Sequence, residues 1–261
     1  MRKTAIGISF KMYKNKQSEI SAYLKEIIPY CENKSEIDVF VFPSMGTLET
    51  VSKLLEKSSI HYGAQNIAPI ANGALTGEFS IDSLLDLNGD YVELAHAERR
   101  KIFKETEEMV HQKLILALEK RVTPVLCIGE NTEEKINLRS HLQKQLVSAM
   151  KDIPLSSLKK VILAYEPIWA IGKAKAASSE HIHEAHQIIR EELLSIFGVK
   201  VAEEIRIIYG GSVSRDNVAE IVNDDNVDGV FVGRFGHDPK NFKEIIDTVT
   251  KIKIAREKNV R

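Results

Sequence analysis

Eight short apolar runs, each followed by a charged amphipathic stretch, leave this chain very few architectures. The runs fall at residues 4–9, 38–42, 61–65, 91–95, 123–128, 161–165, 205–209 and 229–233. Each has the length of a buried parallel strand and none alternates cleanly, as expected where both faces of a sheet are covered. The stretches at 17–30, 105–120, 138–151, 179–197 and 241–253 carry helical spacing, seen in Ile182, Ala185, Ile189 and Leu193. Eight strand–helix units predict an α/β chain closed into a single (β/α)8 barrel. Glycine and proline are spread evenly, with no linker or low-complexity tract, so residues 1–261 are expected to form one domain, a length ample for a large core. A doubly wound sheet would need a glycine-rich turn after an early strand, and none is present. Gly172-Lys173 is no P-loop, because the upstream glycine and the following Ser/Thr are missing.

Composition narrows the partners. Thirty-six Lys and Arg stand against 37 Asp and Glu, a net charge of -1. That balance gives no reason to expect nucleic acid or an anionic membrane as a partner. No run approaches the ~20 apolar residues of a membrane span, and the start of the chain has no signal-like apolar region, so a cytoplasmic protein is expected. Two distant cysteines, Cys31 and Cys127, form no framework and no metal motif; Cys127, in an apolar run, is expected to be buried.

In a closed parallel barrel, chemistry gathers at the C-terminal ends of the strands. Lys11, Gln65-Asn66, His96, Glu130, Glu166, Gly210-Gly211-Ser212 and Gly233-Arg234 all lie just past such ends. Four segments there carry a resemblance: Gly63-Ala64-Gln65-Asn66 with the run from Gly73 to Glu78; Ala95-His96-Ala97-Glu98-Arg99-Arg100; the run from Ala164 to Gly172 around Tyr165-Glu166-Pro167; and Tyr209-Gly210-Gly211-Ser212-Val213. In order and spacing, along essentially the whole chain, they resemble the triosephosphate isomerase family.

The resemblance implies a TIM barrel that moves a proton between neighbouring carbons of a small sugar phosphate, with no cofactor and no metal. Glu166 is then the carboxylate base. His96, at an expected helix start whose positive field favours a neutral imidazole, polarises the carbonyl. Triosephosphate isomerase is itself the standard example of this Glu and neutral-His pairing. Lys11 offsets the charge of the phosphate and the enediolate, and Glu98 pairs with it. Gly172, Gly211, Ser212, Gly233 and Arg234 are the expected phosphate end, where glycines let backbone approach closely. Residues 167–177 are expected to form a mobile lid that excludes water. Residues 65–79 resemble the family's interlocking loop, which implies a homodimer with Thr76 entering the partner's pocket.

The departures bear on substrate. Where the family usually has Asn-Trp-Lys-Met-Asn, this chain has Ser9-Phe10-Lys11-Met12-Tyr13; Ala97 replaces a serine, and Gly233-Arg234 replaces Gly-Gly. Ser9 and Ala97 open space near the base, and Arg234 adds a cation. Ser9 before Phe10-Lys11-Met12, with Gly233-Arg234, resembles the branch that interconverts L-erythrulose 1-phosphate and D-erythrulose 4-phosphate in erythritol breakdown. Dihydroxyacetone phosphate is the alternative substrate, and a non-catalytic anion-binding relative the third reading. His181, His183 and His186 share one stretch, where a solvated helix surface is expected rather than a metal site.

Overall fold

The computed structural model describes residues 2–32, 34–173 and 176–260, with side chains through Arg256. The strands are β1 (Thr4–Ser9), β2 (Ile37–Phe42), β3 (His61–Ala64), β4 (Tyr91–Leu94), β5 (Thr123–Ile128), β6 (Ile162–Tyr165), β7 (Arg206–Gly210) and β8 (Gly229–Val232). Every neighbouring pair is parallel, and β1 pairs with β8 to close the barrel. No strand end lies more than one residue from its expected place, because a strand buried on both faces shows in sequence as an uninterrupted apolar run.

The outer layer comprises α1 (Gln17–Cys31), α2 (Leu48–Leu55), α3 (Ile81–Asp86), α4 (Ala97–Ile102), α5 (Glu107–Glu119), α6 (Leu138–Met150), α7 (Leu155–Leu158), α8 (Ser179–Phe197), α9 (Val199–Glu204), α10 (Val218–Ile221) and α11 (Pro239–Val260). Side-chain caps set four of the starts, two of them on long helices. Thr106 accepts the Met109 N–H at 3.2 Å and Ser178 the His181 N–H at 3.3 Å, each satisfying an otherwise orphaned donor. The Thr106 cap places Glu105 outside α5, where it turns inward and pairs with the fully buried Lys113. Helix α8 ends at Gly198, whose φ of 85° favours glycine.

Two cores result. The larger lies between the strands and the helices. The smaller fills the barrel with inward side chains, among them Ala5, Phe40, Phe42, Tyr91, Val125, Cys127 and Phe231. Phe40 stacks on Tyr91 at 5.0 Å between ring centroids, and Phe42 meets Phe231 edge-on at 5.8 Å. Gly7 is the space that admits Phe40: a Cβ there would lie 2.1 Å from the Phe40 ring. The barrel is thus plugged, and its open space lies in the layer above the plug. Among the described residues, no helix is long and apolar enough to cross a membrane.

The histidines of α8 are not a solvated surface. His186 is fully buried, with Nδ1 bonded to the Ile182 carbonyl at 2.8 Å. His183 Nε2 meets the Glu220 and Ile221 carbonyls, and His181 Nε2 lies 3.0 Å from the Tyr165 hydroxyl and 3.3 Å from Glu130. His186 follows Ile182 by one helical turn and so falls on the buried face. Among the described residues no His, Cys, Asp or Glu cluster is arranged for a metal.

Candidate active site

Parity along the strands decides which side chains reach the open end of the barrel. In β1, Ala5 and Gly7 face inward, so Ser9 does too; in β4, Tyr91 is inward and Glu93 follows. Ser9 and Glu93 therefore form a layer directly above the aromatic plug. Over them opens a pocket of about 250 Å³, lined by Lys11, His96, Glu98 and Glu166 as well as Gly172, Lys173, Gly211, Ser212, Gly233 and Arg234.

Glu166 follows β6, its N–H bonded to the Ile128 carbonyl at 2.8 Å. The residue is 6% exposed, and its Oε2 has no hydrogen-bond partner among the described residues. A buried carboxylate oxygen without a donor is costly and needs explaining. Gly210 makes room for this side chain: a Cβ at residue 210 would stand 2.4 Å from Glu166 Oε1.

His96 is the N-cap of α4, and its Nδ1 accepts the Glu98 backbone N–H at 3.1 Å. An accepting Nδ1 leaves the proton on Nε2. That nitrogen lies 3.3 Å from Glu166 Oε2 with no hydrogen bond between them. Lys11 stands just past β1 at a φ of 45°, and its Nζ donates to Glu98 Oε1 at 2.6 Å. Burial alone would lower the Lys11 pKa. The Glu98 hydrogen bond and the charges of Glu166, Glu98 and Glu93 outweigh it and hold the ammonium above its ordinary range.

At the rim, Gly172, Gly211 and Ser212 all have positive φ (68°, 129° and 52°) and expose backbone to the pocket. The Ser212 hydroxyl is spent on the Ala170 and Lys173 carbonyls at 3.0 and 2.7 Å, which leaves its amide for an anion. Arg234 Nη2 donates to the Gly172 carbonyl at 3.0 Å, and Tyr209 Oη accepts the Ala177 N–H at 3.3 Å. These bonds tie the described parts of the 167–177 segment to the loops after β7 and β8 and to Tyr209; residues 174–175 lie outside the described residues. Trp169, in the same segment, donates to the buried Glu130 at 2.7 Å.

Not every polar residue at a strand end joins the pocket. Glu130 is the hub for Trp169, Tyr165 and His181. Gln65 braces the carbonyls of Lys11, Phe42 and Pro43. Asn66 accepts from Lys113 at 2.9 Å and donates to Glu78 at 3.3 Å. Thr76 is exposed in its loop and touches no part of this chain's pocket. Conversely, Glu93 and Lys173 line the pocket without having been expected there. Glu93 was hidden inside an apolar run; only its parity with Tyr91 marks it.

Comparison with known proteins fits this arrangement. The triosephosphate isomerase family pattern matches residues 4–249. The chain belongs to the triosephosphate isomerase family. A protein of Listeria innocua called triosephosphate isomerase 2 is 48% identical over 255 residues, covering 97% of this chain and all of that one. The triosephosphate isomerase of Alkaliphilus oremlandii is 39% identical over 95% of this chain and all of its own. That of Dictyoglomus thermophilum is 35% identical over 94% of this chain and 99% of its own. The protein is therefore an isomerase by family, built on the family's barrel.

Proposed function

We propose that the chain interconverts L-erythrulose 1-phosphate and D-erythrulose 4-phosphate through an enediol(ate). The orphaned Oε2 of Glu166 carries the reaction class: it is an acceptor waiting for a carbon-bound proton beside a neutral His96. Glu166 takes the proton from the carbon next to the carbonyl. His96 donates its Nε2 proton to the carbonyl oxygen and recovers one from the neighbouring hydroxyl, which moves the carbonyl by one carbon. Lys11 offsets the negative charge that develops. Glu166 then returns its proton to the former carbonyl carbon, so atoms balance with no outside reactant. The amides of Gly172, Gly211, Ser212 and Gly233, with Arg234, hold the phosphate at the rim.

The four-carbon choice rests on Ser9. Its short side chain leaves room beside the base, and its hydroxyl donates to Glu93 at 3.0 Å rather than blocking the floor. Dihydroxyacetone phosphate is the second reading, favoured by the names of the relatives. Steady-state isomerisation of both substrates, side by side, separates the two. In the same assay Ser9→Asn is expected to shift the ratio of kcat/KM values toward the triose by roughly 10–200-fold, the usual worth of one such group in a pocket. An unchanged ratio assigns the discrimination elsewhere and moves the triose reading ahead.

The active form is proposed to be a homodimer. The loop between β3 and α3 presents exposed Ile70 and Leu75, 47% and 39% accessible, beside Thr76. Its root is fixed by the Ala68 N–H to Phe79 carbonyl bond at 2.8 Å and by Ser80 donating to the Ala71 carbonyl at 2.6 Å.

A further inference from the structure

We infer that Glu93 is a second specificity-determining residue for the four-carbon substrate, beside Ser9, accepting a hydrogen bond from the terminal hydroxymethyl group that a three-carbon ketose phosphate lacks. The inference deepens the four-carbon reading above and depends on it.

A carboxyl group has no structural reason to stand where Glu93 does. Its strand neighbours Val92 and Leu94 pack outward into the main core, and the layer beneath is Phe40, Phe42, Tyr91 and Phe231. Burying a carboxylate is expensive unless it is paired and hydrogen-bonded. Yet Glu93 is 3% exposed and, among the described residues, has no ion-pair partner within 4 Å and a single hydrogen bond, from the Ser9 hydroxyl to Oε2. Its other oxygen is left to the pocket that the residue lines. An apolar side chain would fill the same position at no such cost, so the spare acceptor calls for a donor that arrives with the ligand.

The geometry of the pocket says which donor. The phosphate-end residues are on loops at the rim, whereas Ser9 and Glu93 are strand residues at the floor. A substrate held by its phosphate at the rim, with its reacting carbons between Glu166 and His96, directs the far end of its carbon chain to the floor. In erythrulose 1-phosphate that end is a CH2OH on the carbon that loses the proton; in dihydroxyacetone phosphate the same carbon carries only its hydroxyl. Ser9 already spends its proton on Glu93, so it meets the ligand only as an acceptor, and the pair offers two acceptors to one hydroxyl. Burial also pushes the Glu93 pKa up to about 7, with His96 opposing, Glu166 adding to the rise, and Lys11 and Ser9 opposing.

Three substrates and two variants test this. The substrates are erythrulose 1-phosphate, its analogue with CH3 in place of the terminal CH2OH, and dihydroxyacetone phosphate. Glu93→Leu is expected to lower kcat/KM for erythrulose 1-phosphate relative to the other two substrates on the order of 100-fold, because the hydroxyl loses its carboxylate acceptor and meets an apolar side chain instead. Glu93→Gln keeps an acceptor of the same shape and is expected to retain most of the four-carbon activity, within about 10-fold. A uniform loss on all three substrates with Glu93→Leu, or no loss on any, overturns the inference. The wild-type row tests the four-carbon reading separately: turnover of dihydroxyacetone phosphate with none of erythrulose 1-phosphate removes that reading, and this one with it.

Discussion

At the scale of single residues, Glu166 depends on distance more than on chemistry. Its carboxylate is placed by the bond from its backbone N–H to the Ile128 carbonyl and by the room that Gly210 leaves beside Oε1. Glu166→Asp keeps the charge but retracts the carboxylate by about 1 Å, which costs on the order of 100-fold when a base must meet a carbon-bound proton. The expectation is a fall in kcat of that size with KM changed only a few-fold. A folded variant with near-wild-type kcat would falsify the assignment of Glu166 as the base. Much of this site was legible in sequence. Lys11, His96, Glu98 and Glu166 were expected from motif and strand end, and all four line one pocket. Glu93 was not, because a charged residue between Val92 and Leu94 looks like part of an apolar strand until its neighbours' facing is known. Glu130 misled in the other direction: a strand-end position does not say whether a side chain turns to the mouth or, as here, outward to Trp169 and His181.

Among the elements, the long helices and all eight strands followed from periodicity, while the short ones did not. Helices α3, α7, α9 and α10 have four to six residues, too few for a 3.6-residue repeat to declare itself, whereas the short α4 was expected from the position of His96. The end of α5 was displaced for a definite reason: Glu105 looks like a first-turn acid, but the Thr106 cap excludes it and Lys113 draws it inward. The loop between β3 and α3 is the element on which the proposed dimer rests. It is longer than most connections in a compact barrel. It is tied at its root to α5 through Asn66 and Lys113, and it leaves Ile70 and Leu75 in water. Sedimentation at micromolar concentration is expected to give a dimer, and Leu75→Asp to weaken it with loss of activity that higher protein concentration restores. A fully active monomer contradicts the proposed assembly.

For the molecule as a whole, two buried groups pull stability in opposite directions with pH. Burial lowers the His186 pKa from 6.5 to about 3 in the folded chain, so the neutral ring is favoured there. The unfolded chain takes up that proton first, and stability falls as pH drops from about 6.5 toward 3, at about 1.4 kcal/mol per pH unit. Glu93, raised from 4.5 to about 7, acts the other way: the folded chain binds its proton first, and stability is regained as pH falls from about 7 to 4.5. The two offset each other over much of that window. His186→Leu removes one of them, so the stability gap between wild type and variant, read from urea unfolding, is expected to shift by about 2 kcal/mol in the variant's favour between pH 7 and pH 5. An unchanged gap means that His186 is not a buried neutral ring. The aromatic plug of Phe40, Phe42, Tyr91 and Phe231 has a consequence at the same scale. It turns the pocket into a blind alley with one door. Whatever enters leaves by the way it came, past the same segment, and product queues against incoming substrate for that opening. Such a vessel has no built-in direction. The traffic outside, not the protein, decides which way the carbonyl moves.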